Sequence, residues 1–171
     1  MDHKMFCFQC EQTAGCSGCT GMAGVCGKTA DVAKLQDELT GALVGLAHAI
    51  DNAPGVDADT WRLMIEGLFT TVTNVSFNEK TLRELIDRVH EEKARLVPNC
   101  AGCVSACGRT DDYDMGKVWN AQEDIRSLKS LILFGVRGMA AYAHHAMVLG
   151  YTDEEVNWFL AKALFAVGED W

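Results

Sequence analysis

From residue 29 onward, apolar positions recur at intervals of three and four, the period of a helix with one buried face. Val32, Leu35, Leu39, Leu43, Leu46 and Ile50 predict a first helix, closed by Pro54-Gly55. Trp61, Ile65, Leu68 and Val72 predict a second, opened by Asp57 as its N-cap. Thr70–Ser76 is β-branched enough for a strand, but the sequence offers it no partner strand. Asn78 is placed to cap a third helix, with Phe77 and Leu82 at staple positions and Leu85, Ile86, Val89 and Leu96 continuing the apolar face to Pro98.

The longest pattern runs from about Asn120 to Leu149. Its second half, Leu131 to Leu149, is apolar nearly all round, which predicts the central, buried helix of a bundle. Gly135 and Gly138 inside it each cost roughly 1 kcal/mol relative to alanine, and are expected where another element comes close to the backbone. Gly150 suits a C′ position. Thr152-x-x-Glu155 reads as a capping box for a last helix carrying Val156, Phe159, Leu160, Ala163 and Leu164. The expected fold is all-α, a bundle of about five helices in one domain over residues 1–171. Residues 1–28 form a cysteine loop, 29–98 three helices, 99–114 a second cysteine loop and 115–171 two helices, with the loops at one end of the bundle.

A formal charge of −9 argues against nucleic acid, whose phosphates call for a basic surface, and suits docking to a basic patch on a partner. No apolar run reaches the roughly 18–20 residues of a membrane span. Met1-Asp2-His3-Lys4-Met5 lacks a signal-peptide core, so the cytoplasm is the expected compartment. Association into a homo-oligomer is compatible with this composition.

The cysteines change the picture. All eight fall in two clusters, Cys7, Cys10, Cys16, Cys19 and Cys26, then Cys100, Cys103 and Cys107. In a chain with an ample apolar core this is ligand placement, not a disulfide framework. C-x-x-C puts two sulfurs on one turn, and the interleaved glycines let backbone N–H groups face bound sulfide. Cys7 and Cys10 are a firm pair for an iron–sulfur cluster. Spacing leaves their two companions open among Cys16, Cys19 and Cys26, with one over. A zinc site on Cys7, Cys10, Cys16 and Cys19 is the structural alternative. Cys100–Cys107 could equally form a zinc or redox thiol turn, or take a fourth ligand from another subunit.

Other chemistry is sparse. His144 and His145 fit a helix with one imidazole facing the core and the other facing out. The four tryptophans and seven methionines suit packing, and Asp111–Asp114 suits a solvated turn. No Ser/His/Asp, Cys/His or phosphate-loop constellation stands out, so no catalytic residue is assigned.

Met5-Phe6-Cys7-Phe8-Gln9-Cys10-Glu11-Gln12-Thr13, Cys19 and Gly24-Val25-Cys26-Gly27-Lys28 resemble the N-terminus of the hybrid cluster proteins, the prismane or hydroxylamine reductase family. The likeness continues in Leu35-Gln36-Asp37, in Thr71-Val72-Thr73-Asn74-Val75-Ser76-Phe77 and in Leu133-Phe134-Gly135-Val136-Arg137-Gly138-Met139-Ala140-Ala141-Tyr142-Ala143-His144-His145-Ala146. The resemblance implies that Cys7, Cys10, Cys19 and Cys26 ligate a first cluster. The gap between Cys10 and Cys19 resembles the [4Fe–4S] type, and a [2Fe–2S] cluster is the variant form.

Family members continue into two further domains that carry the hybrid cluster, where hydroxylamine or nitric oxide is reduced. Residues 1–171 are expected to hold the helical cluster-binding part and not those domains. Cys16 and the Cys100-x2-Cys103-x3-Cys107 motif depart from the family pattern, and a second [4Fe–4S] cluster on these four thiols is the matching expectation. The expected role is one-electron transfer to a redox partner or a separately encoded catalytic subunit. The alternatives are the N-terminal portion of a hydroxylamine or nitric oxide reductase, and a structural zinc-binding assembly protein.

Overall fold

A computed structural model of the chain describes residues 5–10, 17–53, 55–97 and 111–171. Among them lie six helices and no strand: α1 Ala30–Asn52, α2 Ala58–Thr70, α3 Glu79–Leu96, α4 Gly116–Trp119, α5 Glu123–Val148 and α6 Glu154–Gly168. The all-α bundle is as expected, with the one-turn α4 as the extra element. No helix among the described residues is long and apolar enough to cross a membrane.

The centre of the bundle is α1, which packs against α2, α3 and α6. It is buried along almost its whole length, from Val32 to Ile50, including the polar Gln36, Thr40 and His48. Its first turn is capped by Thr29, whose hydroxyl accepts from the Val32 N–H at 3.2 Å. It stops at Asn52 because Ala53 precedes a proline and takes the extended conformation such a residue favours.

Centrality was expected of α5. Instead α5 packs on α2, α4 and α6 and buries only one stripe, including Leu133, Val136, Arg137 and Ala140. Leu131 and Tyr142 are exposed, and no neighbour lies within 4 Å of a Cβ built on Gly135 or Gly138. Hydropathy measures how apolar a helix is, and α1 wins the centre because it is smaller in the middle. At Gly41 and Gly67 neighbouring groups come so close that a Cβ would collide with Tyr113 and Leu43, respectively.

Capping follows the sequence with one correction. Asp57 accepts from the Asp59 and Thr60 N–H groups at 3.1 and 3.0 Å, and Asn78 from Lys80 and Thr81 at 3.0 and 3.3 Å. The cap of α6, however, is Asp153, which accepts from the Val156 N–H at 3.0 Å, and not Thr152. Gly150, in the left-handed region at φ 84°, closes α5. Its N–H donates to Met147 and that of Tyr151 to Ala146, the paired bonds of a Schellman motif.

In the Thr70–Ser76 stretch α2 runs to Thr70 and then breaks into turns. The Thr70 and Thr71 hydroxyls donate back to the Glu66 and Leu68 carbonyls, satisfying acceptors at the helix end.

Asp111–Asp114 is also more than a solvated turn. The Tyr113 N–H donates to the Gly41 carbonyl at 3.1 Å, while Asp112 accepts from His90 and Lys93 on α3. Partial burial opposes ionisation of Asp112, but these donors outweigh it and hold its carboxyl below the usual range. A depressed carboxylate stabilises the fold above its unfolded pKa of about 3.9 and loses that contribution as pH falls through its folded value. Asp112→Asn should therefore lower the stability measured by urea unfolding at neutral pH. The deficit should shrink as pH falls below about 3.9 and vanish once the native carboxyl is itself protonated.

Candidate functional site

The N-terminal loop lies over the start of α1, on a two-rung ribbon. Cys7 and Cys19 exchange both backbone hydrogen bonds, at 3.0 and 2.9 Å, and the Met5 N–H donates to Gly21 at 3.4 Å. Two residues paired in this way stand about 5.5 Å apart at Cα with their side chains on the same face. Gly18 makes the approach possible: it sits at φ 61°, and a Cβ there would collide with the Cys7 carbonyl oxygen.

A second turn closes the loop. The Gly24 N–H donates to Lys28 at 2.8 Å and Gly27, at φ 85°, donates to Gly24 at 2.9 Å. Gly24 faces both Met5 and the Cys26 sulfur, so the turn holding Cys26 is folded onto the ribbon. Met5, Cys7 and Ala33 form a small buried cluster that Cys19 and Ala30 flank, fixing the loop to the first turns of α1.

Beneath the thiols runs a chain of buried polar groups. The ammonium of Lys28, itself 1% exposed, donates to Gln9 Oε1 at 2.9 Å and stands 3.6 Å from Cys7 Sγ. Gln9 passes the contact on, donating through Nε2 to Asp37 Oδ1 on α1 at 2.9 Å. The fully buried Arg137 of α5 donates to the Thr71 hydroxyl at 3.1 Å and the Thr40 hydroxyl at 3.2 Å. Thr40 in turn donates to the Gln36 carbonyl, and the Gln36 amide donates to Ser76.

The electrostatics follow from burial against neighbouring charge. Burial pushes the Asp37 carboxyl up, and the Gln9 hydrogen bond and the Arg137 and Lys28 charges pull it back only in part. The Trp119 indole also lowers it, although its N–H stands outside the geometry of a formed hydrogen bond. Burial likewise pushes the Cys7 thiol up, opposed chiefly by the positive charge of Lys28. Burial lowers Arg137, and the negative charges of Asp37 and Cys7 favour its ionised form. Two acids and two bases thus lie together in a low-dielectric site, with burial favouring the neutral form of both acids.

Of the expected ligands, the structure brings Cys7 and Cys19 together directly, with Cys10 and Cys26 half-buried in the same loop, and all four are free thiols. Cys16, Cys100, Cys103 and Cys107 lie outside the described residues. Among the described residues no three Cys, His, Asp or Glu side chains are gathered closely enough to hold a metal ion. The donor chemistry fits a thiophilic group, since four thiols lie in one loop with a buried cation beside Cys7. The arrangement is not a closed ligand set.

The supporting residues Gln9, Lys28, Asp37, Thr40, Thr71 and Arg137 had no role in the sequence reading. Their signal was there: five of the six fall in the stretches that carry the family likeness, and Arg137 is a charge inside an apolar helix. The histidines behave as expected, His144 half-buried and stacked on Phe69 at 4.1 Å, His145 exposed. Trp119 packs against Phe8 and Phe6 at 5.4 and 6.2 Å, beside the loop.

Known proteins match the chain end to end. It is 40% identical to a hydroxylamine reductase of Clostridium perfringens, over 97% of this chain and 34% of that protein. A hydroxylamine reductase of Porphyromonas gingivalis is 37% identical over 98% of the chain, and one of Caldanaerobacter subterraneus subsp. tengcongensis 39% over 98%, again with 34% of each relative covered. The chain thus spans about a third of the length of the curated relatives it matches. A family model described as Prismane/CO dehydrogenase matches residues 5–171, and the chain belongs to that family.

Proposed function

We propose that this chain is an iron–sulfur electron-transfer protein or subunit, with Cys7, Cys10, Cys19 and Cys26 holding its first cluster. The observation that carries this reading is the Cys7–Cys19 backbone pair, with the buried ammonium of Lys28 3.6 Å from Cys7 Sγ. Cysteine thiolates are the ligands of such clusters, and members of the Prismane family bind them. A bound cluster would supply reversible one-electron chemistry.

The chain's own residues partly offset the burial that favours the neutral Cys7 thiol. Lys28 offers positive charge to Cys7, Gln9 holds Lys28 in place, and Asp37 and Arg137 neutralise each other behind them. Free thiols in the loop suit a reducing compartment such as the cytoplasm. An acidic cleft beside the loop, lined by Asp31, Asp37, Glu38, Asp112 and Asp114 and flanked by Phe6, suits a partner with a basic patch.

Cys16, Cys100, Cys103 and Cys107 are assigned to a second [4Fe–4S] cluster, since they complete the use of all eight thiols. The second reading is that the chain serves as the N-terminal part of a hydroxylamine reductase, favoured by its match to a third of those enzymes.

Iron, sulfide and zinc analysis of anaerobically purified protein, with EPR of the reduced state, tests the assignment. About eight irons per chain is the expected result, about four would remove the second cluster, and a colourless zinc protein would overturn the redox reading. Hydroxylamine reduction by the chain alone would overturn the simple-carrier role.

A further inference from the structure

Beneath the cysteine loop the buried charges are unequal. Lys28 and Arg137 are both buried cations. Among the described residues the Lys28 ammonium meets Cys7 Sγ and Gln9 Oε1, and Arg137 meets the Thr40 and Thr71 hydroxyls, so neither makes direct contact with a carboxylate. Asp37 acts on both cations, but the Gln9 amide stands between it and Lys28, and burial already favours its neutral form. One carboxylate held towards neutrality does not match two buried cations. The positive charge left over is at Lys28, 3.6 Å from Cys7 Sγ.

A structural anchor for the loop would not need this charge. A neutral donor satisfies Gln9 Oε1 without the desolvation cost of an ammonium, and lysine is almost never fully buried unless it is paired. The position is also set by the thiol loop itself. The Lys28 carbonyl accepts from the Gly24 N–H at 2.8 Å, so the turn that carries Cys26 is the one that delivers the ammonium beneath Cys7.

We propose that Lys28 is a positioning residue whose buried ammonium takes the cluster on Cys7, Cys10, Cys19 and Cys26 as its counter-charge and sets how readily that cluster accepts an electron. The inference rests on the cluster assignment given above. A cluster held by four thiolates carries net negative charge, and one-electron reduction adds to it without a bond being made or broken. A cation hydrogen-bonded to a ligating sulfur favours the more negative state and raises the reduction potential.

Lys28→Met keeps the length of the side chain and removes its charge. Wild type and variant, loaded anaerobically, are titrated at one pH with dithionite as the reductant and redox mediators present, and EPR reads the reduced fraction. At least one signal of the variant should become at least about tenfold harder to reduce, a fall of about 59 mV for one electron. Lys34→Met removes a cation from the exposed side of α1, where water and salt screen it, and should shift the equilibrium less than about twofold. An unshifted or raised potential in loaded Lys28→Met, or an equal fall in Lys34→Met, overturns the proposal and leaves the cluster assignment standing. A wild-type chain that takes up no iron overturns both. Should Lys28→Met fail to hold iron, urea unfolding of the metal-free chains decides. A buried cation without its counter-charge gives the variant a midpoint no lower than that of wild type, whereas a lower midpoint marks Lys28 as a structural anchor and overturns the proposal.

Discussion

Replacing Arg137 by leucine should cost about 3–5 kcal/mol of stability, the penalty for breaking a buried charge arrangement from one side. For a domain of this size that corresponds to a fall in melting temperature of roughly 10 °C. The guanidinium satisfies two hydroxyls from different parts of the fold, Thr40 on α1 and Thr71 after α2, and is the buried counter-charge for Asp37. Leucine fills the space but leaves Asp37 with the Gln9 hydrogen bond, the Lys28 charge and the Trp119 indole.

The loss should depend on pH in a defined direction. The Asp37 carboxyl already lies above its usual range, so folding favours its protonated form. A raised carboxyl contributes fully below its unfolded pKa of about 3.9, and the contribution is lost as pH rises through the folded value. Without Arg137 that value climbs further, and the deficit of Arg137→Leu should widen from acid to neutral pH. Asp37→Asn in the same background should narrow it. Urea unfolding across pH, read by far-ultraviolet circular dichroism, decides the matter. A pH-independent deficit would mean that Arg137 acts through packing alone.

Gly41→Ala should be nearly as damaging, at about 3 kcal/mol, the upper end of ordinary overpacking. Alanine normally strengthens a helix relative to glycine, by roughly 1 kcal/mol. At Gly41 the new methyl would stand well inside van der Waals contact of the Tyr113 carbonyl oxygen. Relief requires moving backbone, and that backbone is tied to α1 by the Tyr113 N–H bond to Gly41 itself and to α3 through Asp112. Gly135→Ala is the control, with nothing within 4 Å of its Cβ. Thermal melts in dilute protein should show the two substitutions moving stability in opposite directions.

These two glycines also show what the sequence could reveal. Helix positions, two caps and the cysteine loop were legible because each depends on residues close in the chain. Asp57 and Asn78 cap helices beginning at the next residue, and Cys7 and Cys19 belong to one short loop. What failed depended on distance. Nothing local distinguishes Gly41, pressed against Tyr113, from Gly135, facing open space. The exchange of roles between α1 and α5 has the same origin, because an apolar helix is central only if its neighbours can reach it.

The candidate site divides along the same line. Its cysteines could be named from the sequence, whereas the buried polar groups beneath Cys7 could not. Arg137 reaches Thr40 across 97 positions, and Asp37 meets Gln9 across 28. Polar side chains paired over such spans leave no periodic mark. Asp153 in place of Thr152 is a smaller case, in which two adjacent good capping residues differ only in which one the chain's path turns towards the helix.

The loop's attachment has a consequence for how the protein is made. Its described links to the bundle are one small apolar patch, the Gln9–Asp37 contact and the packing of Phe6 and Phe8 on Trp119, while the bundle has an extensive apolar core of its own. Small zinc modules fold only as they capture their ion. Here the helices supply a surface on which the loop can lift and reseat without dissolving the rest, as locally stable segments do. Synthesis and maturation are thereby separated in time. If the loop holds the proposed cluster, a folded scaffold can receive it after synthesis, and a lost cluster can be replaced without making the protein again.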